Sequence, residues 1–128
     1  MLVLGMALLA FAVAGLAVDG TRAWLYRRTL QNAADAAALA GASALDRAAY
    51  YRSAGEDVAL DESASERVAA RWLSTRGLDV SAAVVEATRD RVTVEMRGAV
   101  RTTFLSLAGI PSIDVAVSAD AAPLARTP

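Results

Sequence analysis

The run MLVLGMALLAFAVAGLAV occupies residues 1–18, and the first charge in the chain is Asp19. Eighteen uncharged residues in a helix match a bilayer core of ~30 Å at ~1.5 Å per residue. The apolar side chains of this span are Leu2, Leu4, Leu8, Phe11, Val13, Leu16 and Val18. Trp24, Tyr26, Arg27 and Arg28 follow it. Aromatic and Arg side chains at that place suit the headgroup layer, where indole and phenol rings anchor and guanidinium groups reach for water. Two other readings compete. A buried core helix would need a second large apolar body to cover it, and none is present. A cleaved signal peptide would use the small-x-small step Ala12-Val13-Ala14. Against it, no basic stretch precedes the apolar run, and the helical pattern runs through the cut.

Nothing after Asp19 stops the helix on propensity grounds. The first Pro is Pro111, and residues 20–52 are dominated by Ala, Leu, Arg and Gln. The expectation is one helix from about Leu2 to about Arg52, roughly 75 Å long at ~1.5 Å per residue. Small residues recur at helical spacing within it: Ala33, Ala37 and Gly41 in one row, Ala34, Ala38 and Ala42 in the next. Such rows let helix backbones approach closely. Arg28, Gln31, Asn32 and Asp35 punctuate the same stretch, with Arg28 and Asp35 two turns apart. A solvated face is the plain reading of these polar residues. The sharper one is that they set register between associating helices, as a buried polar residue does in a coiled coil. The helix-association candidates are therefore Arg28, Gln31, Asn32, Ala34, Asp35, Ala37, Ala38 and Gly41.

The second half reads as a small α+β unit. Residues 53–62 form an acidic linker. Ser63 and Glu66 have capping-box spacing for a helix ending near Arg76, where Gly77 stops it. Val68, Ala69, Trp72 and Leu73 share its apolar face. Strands are expected at Val80–Ala87, Arg91–Arg97 and Ile113–Ala119. The second alternates cleanly, with Val92, Val94 and Met96 on one side. Thr102–Gly109 reads as a helical turn or loop, and the end of the chain as a loose tail. The expected division is thus 1–52 for the membrane and spine helix, 53–62 for the linker, 63–122 for the small domain and 123–128 for the tail. Sixty residues are marginal for an independent core, so the sheet is expected to pack on the long helix beyond Trp24.

Composition narrows the chemistry. Among 128 residues there are 13 basic and 14 acidic ones, every basic one is Arg, and His, Cys and Lys are absent. The commonest general base, thiolate nucleophiles and Schiff-base lysines are therefore missing. Glu56, Asp57, Asp61, Glu62 and Glu66 cluster, but their spacing fits no EF-hand loop and reads as a solvated linker. No phosphate-binding loop or nucleophile elbow is present. Arg89, Arg91, Arg97 and Arg101 have only Phe104 nearby for base stacking, which argues against nucleic acid. No catalytic, cofactor-binding or metal site is expected, and no small-molecule substrate.

The segment from Val18 to Ala42, VDGTRAWLYRRTLQNAADAAALAGA, resembles the signature of the TadE/TadG-like proteins of the bacterial tight-adherence (Tad, Flp-type) pilus system. Thr103-Phe104-Leu105-Ser106-Leu107-Ala108-Gly109-Ile110 and the alternating stretch after it are a weaker echo of the family's C-terminal segment. The fold expected from the residues, a long helix followed by a helix and a small antiparallel three-stranded sheet, is pilin-like in architecture. The resemblance implies a minor-pilin-like or pseudopilin-like structural or assembly component. The implied partners are the lipid bilayer and other Tad pilus or secretion components, or like subunits, met through the long helix. A lone membrane-tethered binding domain is the alternative. Three features depart from the pattern. The first Glu is Glu56, so neither a prepilin-peptidase cut nor a Glu-mediated dock is legible. There is no room for the von Willebrand-type domain of longer relatives. The chain also opens on Met1-Leu2 without the charged stretch common before the span, as a shortened start would. Counting Arg22, Arg27 and Arg28 after the span would place the remainder in the cytoplasm. The resemblance implies instead a single pass through the cytoplasmic membrane with the C-terminal domain outside, and that is the expectation followed.

Overall fold

The computed structural model describes residues 1–124. Its elements are three helices, α1 (Leu2–Gly41), α2 (Arg47–Arg52) and α3 (Glu62–Ser74), and three strands, β1 (Ala82–Ala87), β2 (Val92–Arg101) and β3 (Ser112–Ala121). A 3-10 turn, Leu105–Ala108, lies between β2 and β3. The strands form an antiparallel meander in the order β1-β2-β3. The architecture is the α+β class expected, a long apolar N-terminal helix followed by helices and a three-stranded antiparallel sheet.

One face of α1 builds the core. Leu30, Ala33, Ala34, Ala37 and Ala38 are buried at a spacing of three and four, the stripe a helix presents to one neighbour. Val92, Val94 and Met96 of β2 face them, with Val115, Val117, Ala119 and Ala121 of β3 and Ala69 of α3. Strand alternation puts these residues on one face and leaves Glu95, Arg97 and Asp114 outside. The small side chains let the sheet and α3 lie close to the helix backbone. A Cβ on Gly41 would stand 3.0 Å from the Ser65 carbonyl and 3.1 Å from a Val92 methyl.

The helix ends eleven residues before the expected Arg52. Propensity would carry it on, but tertiary contacts decide. Gly41 is pinned between α3 and β2, Leu45 pairs with Leu60 as an isolated bridge, and the Asp46 N–H donates to the Ala59 carbonyl at 2.8 Å. The Asp46 carboxylate then caps α2 by accepting from the Ala49 N–H at 3.0 Å. α3 also starts differently from expectation. Asp61, not Ser63, is its N-cap, accepting from the Ala64 N–H at 2.9 Å. Glu66 instead accepts from the Ala87 N–H at 3.2 Å, tying α3 to the end of β1. Val68 is exposed rather than inward, while Trp72 and Leu73 are half-buried against the core. β2 and β3 each run to ten residues, longer than the alternation first read. Ala121 is therefore a buried strand end; the last four residues of the expected tail, 125–128, lie outside the described residues.

Candidate functional site

Two surfaces of α1 separate at Asp19. Before it, Leu2, Leu4, Leu8, Phe11, Val13, Leu16 and Val18 are all exposed, and only Gly15 is covered. This is the one helix among the described residues long and apolar enough to cross a membrane. Beyond Asp19 the helix has an inner face against the sheet and an outer face in solvent.

The junction itself is closed by a contact that sequence reading missed. Asp19 is 1% exposed, and its carboxylate accepts the backbone N–H groups of Thr103 (2.9 Å), Phe104 (2.8 Å) and Leu105 (2.8 Å). These donors lead into the 3-10 turn: Thr103 precedes it, Phe104 is its N-cap and Leu105 its first residue, a place where backbone N–H groups ordinarily call for a capping oxygen. Here the cap comes from a residue 84 positions away. The Thr103 N–H holds the Asp19 carboxyl below its usual range; burial opposes this, while the Leu105 and Phe104 N–H groups and the Arg22 guanidinium act in the same direction. Arg22 donates to the Thr103 hydroxyl at 3.0 Å. Below the clamp, Phe104 meets Phe11 edge to face with centroids 6.2 Å apart, and a Cβ on Gly15 would come within 2.6 Å of the Phe104 ring. A glycine is required there for the turn to lie against the helix. The available signal was an acid at the end of an apolar run together with an apolar segment, residues 103–110, that belongs to neither neighbouring strand.

The residues expected at the headgroup layer divide. Trp24 is exposed with the Arg28 guanidinium 5.5 Å from its ring centre, and Arg27 is exposed. Tyr26 points the other way, which corrects its reading as an outward anchor. Its hydroxyl donates to the Asp79 carbonyl, and its ring crosses β2 at Gly98, where any Cβ would overlap it. Burial raises the Tyr26 pKa, and Asp79 acts in the same direction.

The helix-association candidates divide in the same way. Ala34, Ala37, Ala38 and Gly41 are buried under this chain's own sheet and α3, so they offer no surface to a second molecule. Gln31 donates to the Ser118 carbonyl of β3 and to Asp35, each at 3.0 Å. Arg28, Asn32 and Asp35 are exposed. With Leu25 and Leu39, which are 50% and 66% exposed, they form a stripe at alternating spacings of three and four on the side opposite the Ala face.

The rest of the surface offers little chemistry. An apolar depression of about 330 Å³ lies between the end of α3 and β1, lined by Leu73, Leu78, Val80, Val85 and Met96. Among the described residues no group of acids is placed to hold a metal ion. Of the acidic cluster, Asp61 and Glu66 are engaged as above, and Asp57 pairs with Arg89 at 3.4 Å on the surface.

No curated protein and no solved structure matches the chain. One family model does, that described as "Putative Flp pilus-assembly TadE/G-like", over residues 1–44 of 128. The match ends before α2, so the Thr103–Ile110 echo lies outside it. Residues 1–44, which hold the apolar span, the Asp19 step and the Ala-rich face, are thus the part of the chain that is similar to the TadE/G-like family model.

Proposed function

We propose that the chain is a membrane-anchored structural component of a Tad/Flp-type pilus or a related secretion system, minor-pilin-like in its role, with no catalytic activity. Residues 2–18 cross the cytoplasmic membrane, and the α+β domain stands on the extracytoplasmic side. Assembly uses the outer stripe Leu25, Arg28, Asn32, Asp35 and Leu39 rather than the small-residue rows. The observation that carries this reading is the continuity of α1. One unbroken helix joins an exposed apolar span to a solvated stripe of coiled-coil spacing, on the face its own domain leaves free. The partners are lipid for the span and another helix, from a like subunit or a second pilus component, for the stripe.

The chain has no Cys, so single replacements give clean crosslinking sites. Leu25→Cys and Leu39→Cys, expressed in cells that assemble the pilus, are expected to form adducts with a like subunit or a membrane-anchored pilus protein. Val84→Cys, on exposed β1, is the control. Carbonate-resistant membrane attachment without adducts from either stripe position would overturn the assembly role and leave the tethered binding domain.

A further inference from the structure

We infer that the loop Thr103–Ile110 is a second membrane element, seated in the outer part of the same bilayer that the helix crosses. This rests on the membrane reading of residues 2–18 above. The loop does not stand on the domain's far side. It hangs from the junction back along the apolar span, with Phe104 against Phe11 and Gly15. Gly15 and Phe11 precede Asp19 by four and eight residues, so the contact lies about 6 to 12 Å along the helix axis on the lipid side of Asp19. A segment at that depth is surrounded by acyl chains wherever the helix does not cover it.

The loop has the chemistry such a place demands. It exposes Leu107 (88%) and Ile110 (47%), and it carries no charge from Thr102 to Ser112. Irregular backbone in contact with lipid must have its polar groups met from within the protein. Here Asp19 accepts three N–H groups, Leu107 N–H donates to the Phe104 carbonyl, Gly109 N–H to Ser106 and Ile110 N–H to Leu105. The Ser106 hydroxyl donates to the Thr103 carbonyl, and the Thr102 hydroxyl to that of Ile110. Gly109, at φ +84, makes the reversal that returns the chain to β3. Asp19 acts as a positioning residue. Its own desolvation is offset by the three donors, and it fixes the height at which the loop meets the span. Arg22 and Arg101 sit at the loop's base, where lipid phosphates would lie.

The test uses the full chain reconstituted in phosphatidylcholine–phosphatidylglycerol vesicles whose acyl chains are brominated. An environment-sensitive fluorophore is attached at Leu107→Cys, at Val13→Cys within the span and at Val84→Cys on the sheet; all three side chains are exposed, so labelling leaves the core intact. Quenching at 107 is expected to approach that at 13 and to exceed that at 84 several-fold. Strong quenching at 13 with water-like behaviour at 107 would overturn the loop's seating and leave the span intact. Water-like behaviour at both would overturn the membrane reading and the loop with it.

Discussion

Leu30→Ala separates the two faces of α1 most directly. Leu30 is the one large side chain α1 places wholly inside the core, at 0% exposure, and its helical neighbours there are all Ala. Truncation removes three carbons, about 2.4 kcal/mol at about 0.8 kcal/mol each. Ala33, Ala34 and Ala37 have nothing to extend into the void, and the sheet is held by its ladder, so the site collapses poorly. The cavity term brings the loss to about 3–4 kcal/mol. For a domain of this size that lowers the melting temperature by about 12–30 °C. The companion variant Leu39→Ala changes the same residue type nine positions along the same helix. Its side chain is 66% exposed, so its cost to the monomer is within about 0.5 kcal/mol. Both are measured on the full chain in detergent micelles, by circular dichroism on heating. In cells the order reverses: Leu39→Ala weakens crosslinking through the outer stripe while the protein accumulates normally. A large monomer loss from Leu39→Ala with a small one from Leu30→Ala would show that the inner and outer faces have been exchanged.

Val94→Asp places an unpaired charge at a fully buried position of β2 and is expected to cost about 3–5 kcal/mol, read in the same melt. Asp35→Leu leaves helicity unchanged but alters the crosslinking pattern of the stripe; an identical pattern would count against a register-setting role. Acid should loosen the 103–105 turn selectively. The Asp19 pKa is depressed by folding, so its stabilisation is present above the ordinary carboxylate value of 3.8 and is lost as pH falls through the folded value. Amide hydrogen exchange at Thr103, Phe104 and Leu105, referred to strand amides, should therefore lose protection progressively as the pH falls below 3.8 toward the depressed folded value. Asp19→Asn should abolish that step and Asp90→Asn, at the β1–β2 turn, should leave it.

The apolar span, the three strands and the inward set Val92, Val94 and Met96 were legible because composition and period two speak locally. The end of α1 was not, because its cause is contact with Leu60, Ser65 and Val92, and residues 42–46 are as helix-prone as those before them. The faces of α1 were legible as stripes but not as inside and outside. Ala suits either a close backbone approach within one chain or one between chains, and Leu25 and Leu39 would have suited a core equally well. Tyr26 was misplaced because an aromatic just past an apolar span fits the headgroup layer; only Gly98, 72 positions on, marks where its ring goes. Asp19 had no local role to read. A carboxylate in mid-helix caps nothing of its own, and its donors come from the far end of the sheet.

Those long-range contacts bear on how an assembly would be geometrically set. In the proposed membrane arrangement the helix, continuous through Asp19, sets the outer stripe at a fixed height over the bilayer. Leu25 lies six residues beyond the clamp and Leu39 twenty, about 9 and 30 Å along the axis. Without the clamp the span could slide or tilt to suit lipid thickness, and the stripe would move with it. With Phe104 lodged on Gly15 and Asp19 holding the turn, sliding requires dragging the loop and the sheet behind it. In the proposed assembly this holds Arg28, Asn32 and Asp35 level with the matching groups of a neighbouring helix anchored in the same bilayer, which a register-setting stripe requires. Gly15→Leu would push Phe104 away while keeping the span apolar. It is expected to leave membrane attachment intact and reduce stripe crosslinking, and undiminished crosslinking in that variant would separate the clamp from assembly.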